Sequence, residues 1–524
     1  MKKLSKILAL VLTCALCTGI FGGCLVKKGS SQTANTGNLN GYGFVASSDK
    51  YTFVIRSSNE HNGDGNGSFE RTGIYRINNK KGSDPELIYS EPAAVRYGTA
   101  GGFSVAFMAY GAGRLYFLSI QSDGIRVRWI TPDGKQTGTA DIELGTAVRR
   151  LPVCDGSGYY VFGRDPDYVP ETGSEDTYRY EAFCWYRVDM KTGKAAKFTP
   201  PFLSENEVAV YFASADGYLY FAKYYSDAEK IDKGLYRARS GDKKAEGIAE
   251  IDPDLLEDIE TMAACGNDLW YVSNSELHYI DIATGKDTLL VDDVTGNPLN
   301  TSGDGMVWYA DRQGRICRTD KEGTTEAVYS ADPDKAAIYF AGDQVFLISR
   351  DLELYATEKD ARITPSKPFF PKMETSYETS GDWSYETNGK YARIYEYTGS
   401  DSEVVIPTEL DGKKVTMVSF LVLPETAVKL TVPEGVYFVY EVRGKNLKEI
   451  ELPASLDVIG EGQNFTFRFC PLLEKVSLNA KMDHWDEIIA AYETMYAGQG
   501  IDAAGEANTG YTLYCTDGRI VVTY

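Results

Sequence analysis

Gly303-Asp304-Gly305-Met306-Val307-Trp308-Tyr309-Ala310 is the stretch on which the fold reading turns. A glycine-rich turn gives way to four apolar or aromatic residues, and a further β phrase follows at Ile316-Cys317-Arg318. The same phrase recurs at Val345-Phe346-Leu347-Ile348 and, working back, at Leu269-Trp270-Tyr271-Val272, Leu219-Tyr220-Phe221-Ala222 and Tyr159-Tyr160-Val161-Phe162. It is found again at Leu115-Tyr116-Phe117-Leu118 and Tyr51-Thr52-Phe53-Val54. Leu269 to Val307 and Val307 to Val345 are each 38 residues, close to the roughly 40–45 of a four-stranded propeller blade. Wider gaps, up to the 64 residues from Tyr51 to Leu115, require loop insertions.

Each phrase is followed by a second that ends in a turn. Leu277-His278-Tyr279-Ile280-Asp281 runs into Ala283-Thr284-Gly285, and Tyr186-Arg187-Val188-Asp189 runs into Lys191-Thr192-Gly193. Asp at the start and Gly at the end suit a hairpin whose last residue needs positive φ. The unit is therefore strand, turn, strand, tight turn, strand. One such unit cannot bury both faces alone, whereas neighbours packed around an axis can. The expectation is a ring of about seven blades over 45–362.

Trp308-Tyr309-Ala310-Asp311 with Ile316-Cys317-Arg318 and Asp320–Gly323 resembles the YWTD repeat of low-density-lipoprotein-receptor propellers. Gly73-Ile74-Tyr75-Arg76-Ile77 and Gly234-Leu235-Tyr236-Arg237 echo its second strand, though the tetrapeptide is never intact. As a whole, 45–362 resembles the propeller domain of clostridial-type exported lipoproteins, a resemblance that implies fold rather than activity.

The last 140 residues carry another repeat. Residues 363–384, with Pro365, Pro368 and Pro371 at their start, read as the inter-domain linker. Beyond them, Val404-Val405-Ile406-Pro407, Leu430-Thr431-Val432-Pro433, Ile450-Glu451-Leu452-Pro453 and Val476-Ser477-Leu478-Asn479 recur at leucine-rich-repeat spacing, roughly 20–29 residues. Leu447-x-x-Ile450-x-Leu452 and Leu473-x-x-Val476-x-Leu478 fit that repeat's core. With Leu410-Asp411-Gly412-Lys413-Lys414-Val415, Val458-Ile459-Gly460 and Phe469-Cys470, the region 385–524 resembles the BspA-type bacterial surface leucine-rich repeat. Trp485, Ile488, Ile489, Tyr492, Met495 and Tyr496 recur at helical spacing, predicting a capping helix over 483–500 with Asp483 as N-cap. The fold class is thus mainly β: a propeller followed by a short solenoid with a C-terminal helix.

The first residues give an address. Lys2, Lys3 and Lys6 precede the apolar run from Ile7 to Ile20, which is too short to cross a bilayer and fits a secretory signal. Phe21-Gly22-Gly23-Cys24 resembles a bacterial lipobox, although Phe21 departs from its usual Leu. The resemblance implies cleavage after residue 23 and lipidation of Cys24, followed by a polar tether over 24–44. The chain is then exported and held at the outer face of the membrane by lipid.

Composition narrows the partners. With 54 Lys+Arg against 75 Asp+Glu, the net charge of −21 disfavours nucleic acid and anionic headgroups. Three histidines (His61, His278, His484) leave little room for a histidine metal site. Cys154, Cys184, Cys265, Cys317, Cys470 and Cys515 include no C-x-x-C and read as buried strand residues, with a Cys154–Cys184 disulfide as the alternative. No G-x-S-x-G elbow, Walker loop or H-E-x-x-H occurs. Ser302–Trp308 is close to a sialidase Asp-box but reads as a propeller turn. Asp64-x-Asn66-x-Ser68-x-Glu70 has early calcium-loop spacing but reads as a polar hairpin insertion, because Phe69 and Tyr75 stand where Gly and Glu belong. Trp270 and Trp308 share one repeat register and read as blade core.

The expected function is that of a monomeric, surface-tethered binding protein without catalytic residues, metal or cofactor. It would recognise an extracellular protein, peptide or glycan through its propeller and solenoid surfaces. The alternative is an extracellular carbohydrate-active hydrolase or lyase with convergent carboxylates in the propeller channel.

Overall fold

The computed structural model describes Leu39 and residues 43–56, 73–80, 84–90, 105–359, 369–370, 375–459, 466–488 and 510–523. Shorter interruptions fall inside the longer spans, 169–181 being the widest. Among these residues the chain up to Glu358 folds as a succession of antiparallel meanders: six sheets of four strands, then one of three. Every one of the seven apolar phrases forms the second strand of its sheet, Tyr51–Arg56 in the first and Gln344–Ser349 in the last. These strands are buried on both faces because each sheet packs between two others, which is why they read as unbroken apolar runs rather than alternating ones.

The innermost strands set the sheets around an axis. Val45–Ser47 packs beside Val105–Gly111, which packs beside Val148–Cys154, and so on through Glu207–Ala215 and Ile259–Cys265. The succession comes back to its start, since Lys335–Ala341 packs against Val45–Ser47. This is a β-propeller. Hydrogen bonds stitch neighbouring sheets together at the inner strands: Ser214 Oγ donates to Cys154 O (2.7 Å) and Asn300 Nδ2 to Ile338 O, while Tyr159 Oη of a second strand donates to Phe107 O (2.7 Å) of the neighbouring inner strand. Met108 N donates to Gly43 O at 3.0 Å. There Gly43 has φ +56 and a Cβ would lie 2.7 Å from Met108 N, so only glycine allows the approach.

The second unit is a parallel β-coil. Its chain alternates between a sheet holding Lys413–Val422, Phe438–Arg443 and Val458–Ile459 and another holding Glu403–Val405, Lys429–Thr431, Glu449–Leu452, Lys475–Leu478 and Gly510–Cys515. Val404, Leu430, Ile450, Val476 and Leu513 stand in register across five parallel strands. All five are buried in one core with Val418, Val439 and Ile459 of the facing sheet. Burial is worth about 1.5–3 kcal/mol per side chain. The proline after each of the first three rungs ends it by lacking an N–H, and the carbonyls of two of them close the next turn: Val436 N donates to Pro433 O and Leu456 N to Pro453 O.

Two expectations and one alternative are corrected. The stretch 363–384 is not a plain linker. Phe369 and Phe370 pack onto the propeller, and Ser376–Ser380 already pairs with Trp383–Thr387 as the opening hairpin of the coil. Aromatic burial outweighs the turn-forming composition around them. The helix near 483–500 begins at Met482, and its first N–H is capped not by Asp483 but by Asp517 Oδ1 at 2.8 Å. A partner 35 residues downstream leaves no local signal. Trp485 and Ile488 are buried in the coil's core as the apolar stripe requires, while Ile489, Tyr492, Met495 and Tyr496 lie outside the described residues. Finally, Cys154 and Cys184 are both free thiols, separated by the strand Gly158–Arg164 that lies between theirs.

Candidate interaction surfaces

The inner wall of the propeller is mostly Ala, Val, Phe, Tyr and Met. Among its described strands the carboxylates are Glu207 and Glu260. Glu207 accepts from Lys223 Nζ at 3.1 Å and from Ser204 N at 2.9 Å. Burial would raise its pKa, but those two donors hold it below the usual carboxylate range. Its geometry is that of a satisfied structural acid.

The other perturbed acids are similarly engaged. Asp304 accepts from Ser302 Oγ (2.7 Å), from Met306 N (3.2 Å) and from Lys359, so the stretch 302–308 is a braced propeller turn. Asp287 accepts from Tyr271 Oη (2.8 Å) and faces His278 Nδ1 at 3.3 Å, with Glu276 at 3.4 Å from Nε2. His278 also stacks on Tyr271 with ring centroids 4.7 Å apart. Burial opposes its charge, yet the Asp287 and Glu276 carboxylates raise its pKa overall. Among the described residues no group of three or more His, Cys, Asp or Glu is placed to hold a metal ion. Trp270 and Trp308 are fully buried between sheets, and burial pushes the Cys154 and Cys470 thiols up to about 12. Cys24 and Asp64–Glu70 lie outside the described residues. No described helix is long and apolar enough to cross a membrane.

The open surface with the most ordered chemistry is the outer face of the coil's six-stranded sheet. Flanking each buried anchor, two rows of side chains point outward. One row is Glu403, Lys429, Glu449, Lys475, Thr512 and Val521; the other is Val405, Thr431, Glu451, Ser477, Tyr514 and Arg519. Charges alternate along the first row. Lys429 Nζ reaches Glu451 at 2.7 Å and Lys475 Nζ reaches Glu449 at 3.4 Å, while Thr431 Oγ1 donates to Glu451 at 3.1 Å. The ion pair with Lys429 lowers the pKa of Glu451 and raises that of Lys429. Such exposed pairs add little to stability, so the rows are surface chemistry more than scaffold. Sequence reading passed over them, although the polar residues either side of each anchor were their visible signal.

No protein-family model matches the chain, and no curated protein does. Solved structures do. PorZ, an essential bacterial surface component of the type-IX secretion system of Porphyromonas gingivalis, aligns at 10% identity and TM-score 0.40, over 67% of this chain and 44% of that one. A prolyl endopeptidase structure aligns at 12% and 0.42, over 69% of this chain and 55% of that one. The WD40 β-propeller domain of Doa1 aligns at 11% and 0.36, over 60% of this chain and 92% of that one. The chain thus spans about half the length of the first and second of these structures.

Proposed function

We propose that this protein is a surface-displayed binding module, anchored by lipid on Cys24 and taking an extracellular protein, peptide or glycan as ligand. In this reading the seven meanders are the blades of one closed ring over about 45–362. The coil is a BspA-type leucine-rich repeat on an exported clostridial-type lipoprotein, and the chain acts as a monomer. The observation that carries the reading is the double row of ordered, solvent-facing side chains on the six-stranded sheet, with Val405 62% exposed at one end and Val521 73% exposed at the other. Stacked repeats build extended surfaces of this kind without any reactive group.

Two experiments test it. Cys24→Ala should move the protein from the membrane fraction to the medium; retention of the variant on membranes would contradict lipid anchoring. The released full chain, presented to arrays of matrix proteins, peptides and glycans, should hold a ligand without altering it. Turnover of the captured ligand would instead favour an enzyme.

A further inference from the structure

The strand Gly518–Thr523 ends the six-stranded sheet and pairs on one side only, with Gly510–Cys515. In antiparallel pairing, alternate residues turn their N–H and C=O away from the partner, so half of this strand's backbone groups face no strand among the described residues. Proteins usually blunt such an edge with proline, a bulge or several charges. This edge has no proline, no register shift and one charge, Arg519. Val521 is 73% and Ile520 39% exposed beside it.

The charge along the sheet is polarised. Outward residues of the first three strands include Glu403, Glu449 and Glu451 against the single cation Lys429. On the last three strands they include Lys475 and Arg519 and no carboxylate. Lys475 Nζ lies 5.8 Å from the Tyr514 ring, and Tyr514 pairs directly with Arg519. Arg519 makes no ion pair among the described residues. In a chain of net charge −21, the longer of this sheet's two edge strands is therefore its cationic end.

We propose that this edge accepts an extended acidic peptide segment of another protein as a seventh strand. Main-chain hydrogen bonds to Gly518–Thr523 would supply affinity; a carboxylate opposite Arg519 and an apolar side chain opposite Val521 would supply selectivity. A second copy of this chain is the poorer occupant. Pairing edge to edge would bring two Arg519 side chains and two chains of −21 together, and the opposite edge strand, Glu403–Val405, is only three residues long. The inference rests on the binding-module reading and names the partner of one of its surfaces.

The test uses the full chain carrying Cys24→Ala and three labelled hexapeptides, read by fluorescence anisotropy: Thr-Glu-Val-Glu-Val-Thr, its Lys-for-Glu counterpart, and a Pro-for-Val version that cannot complete the ladder. The acidic peptide should bind about tenfold tighter than the basic one, the span of reversing one or two cross-strand charge pairs. The proline peptide should not bind. Arg519→Glu, at an exposed position, should invert the preference while leaving thermal unfolding unchanged. Equal binding of acidic and basic peptides, or indifference to Arg519→Glu, would overturn the proposal, as would concentration-dependent dimerisation abolished by Arg519→Glu without peptide binding. An array ligand held normally while no strand peptide binds overturns the edge proposal alone; loss of both overturns the binding-module reading too.

Discussion

Trp308 and Arg318 stand directly opposite each other on neighbouring strands of the sixth sheet, the guanidinium carbon 5.6 Å from the indole centroid. The same cross-strand pair recurs as Phe53–Arg76, Phe117–Arg128, Tyr160–Arg187 and Tyr220–Arg237. In three sheets the next strand adds a glutamate: Arg76 meets Glu86, Arg237 meets Glu246 and Arg318 meets Glu326. Aromatic, cation and anion across three strands is thus a recurring device of the propeller, clamping the outer half of a sheet to its buried centre.

Arg318→Ala should therefore cost about 1–2 kcal/mol in denaturant unfolding, the sum of a partly desolvated cation–π contact and a mostly buried arginine's ion pair. A double-mutant cycle with Glu326→Gln should return a coupling of a few tenths to about 1 kcal/mol. Additive losses would mean that the two side chains share a location and no energy.

How the ring is joined leads to another expectation. Phe369 N donates to Leu354 O at 2.5 Å, and its ring lies 5.7 Å from Phe346 of the last sheet. Phe370 lies 5.0 Å from Tyr75 of the first sheet and beneath the Arg56 guanidinium at 4.8 Å. The pair bridges first and last sheets where, among the described residues, neither borrows a strand from the other. Phe369→Ala with Phe370→Ala should lower the propeller's stability by about 2–4 kcal/mol in all, for two partly buried rings. The coil, whose core is separate, should be spared. Limited proteolysis should cut beyond Phe370 in the parent and on either side of it in the variant; an unchanged cleavage pattern would contradict the bridging role.

In the coil, Trp485 and Ile488 are each 1% exposed. Trp485→Ala should cost about 3–5 kcal/mol, and Ile488→Asp at least as much because it buries a carboxylate. Against a domain stability of roughly 5–15 kcal/mol, the second change should abolish the coil's cooperative transition. Circular dichroism during urea unfolding checks this; a coil indifferent to Ile488→Asp would show that the helix stands free of the core.

His278 and Asp287 give a pH dependence whose sign follows from their shifts. The histidine's folded pKa is raised above its ordinary 6.5, so its contribution is full below that value and fades as pH rises through the folded one. For Asp287, burial opposes the charge, but the His278 and Tyr271 contacts lower its pKa below 3.8 overall. Its contribution holds above that value and is lost as pH falls through the lowered one. Stability from the pair should therefore peak in mildly acidic solution, between the ordinary values of 3.8 and 6.5. His278→Gln should flatten the decline of melting temperature from pH 6 to pH 8; an identical decline in the variant would remove the pair as its source.

Legibility in the sequence followed the range of the interactions. Val404, Leu430, Ile450 and Val476 were readable as rungs because each core residue repeats at the period of one turn of the coil, and they do stand in register. The second strands of the propeller sheets were readable for the same reason. Phe420 and Glu441 were not. They are non-glycine residues with φ of +56 and +42 on adjacent rungs, where the strands Lys413–Val422 and Phe438–Arg443 bulge together. That left-handed pair is held by its neighbours, Glu441 by the Arg443 guanidinium that in turn covers Phe469 at 4.7 Å. Asp517 capping Met482 and Phe369 crossing to Phe346 are likewise tertiary facts. The candidate surface stood between these cases: its rows were spelled out beside the anchors, while its free edge and polarity needed the strand order.

Binding to the coil's open face is the central claim, and equilibrium capture on the extracellular ligand arrays tests it most directly. The Cys24→Ala chain is compared with one that also carries Lys429→Glu and Lys475→Glu, two changes on the half-buried outer rows that reverse their cations and leave the core untouched. The parent chain should retain a ligand unaltered, and the charge-reversed chain should release it at the same melting temperature. Equal capture by both chains, or recovery of the ligand cleaved, would contradict it.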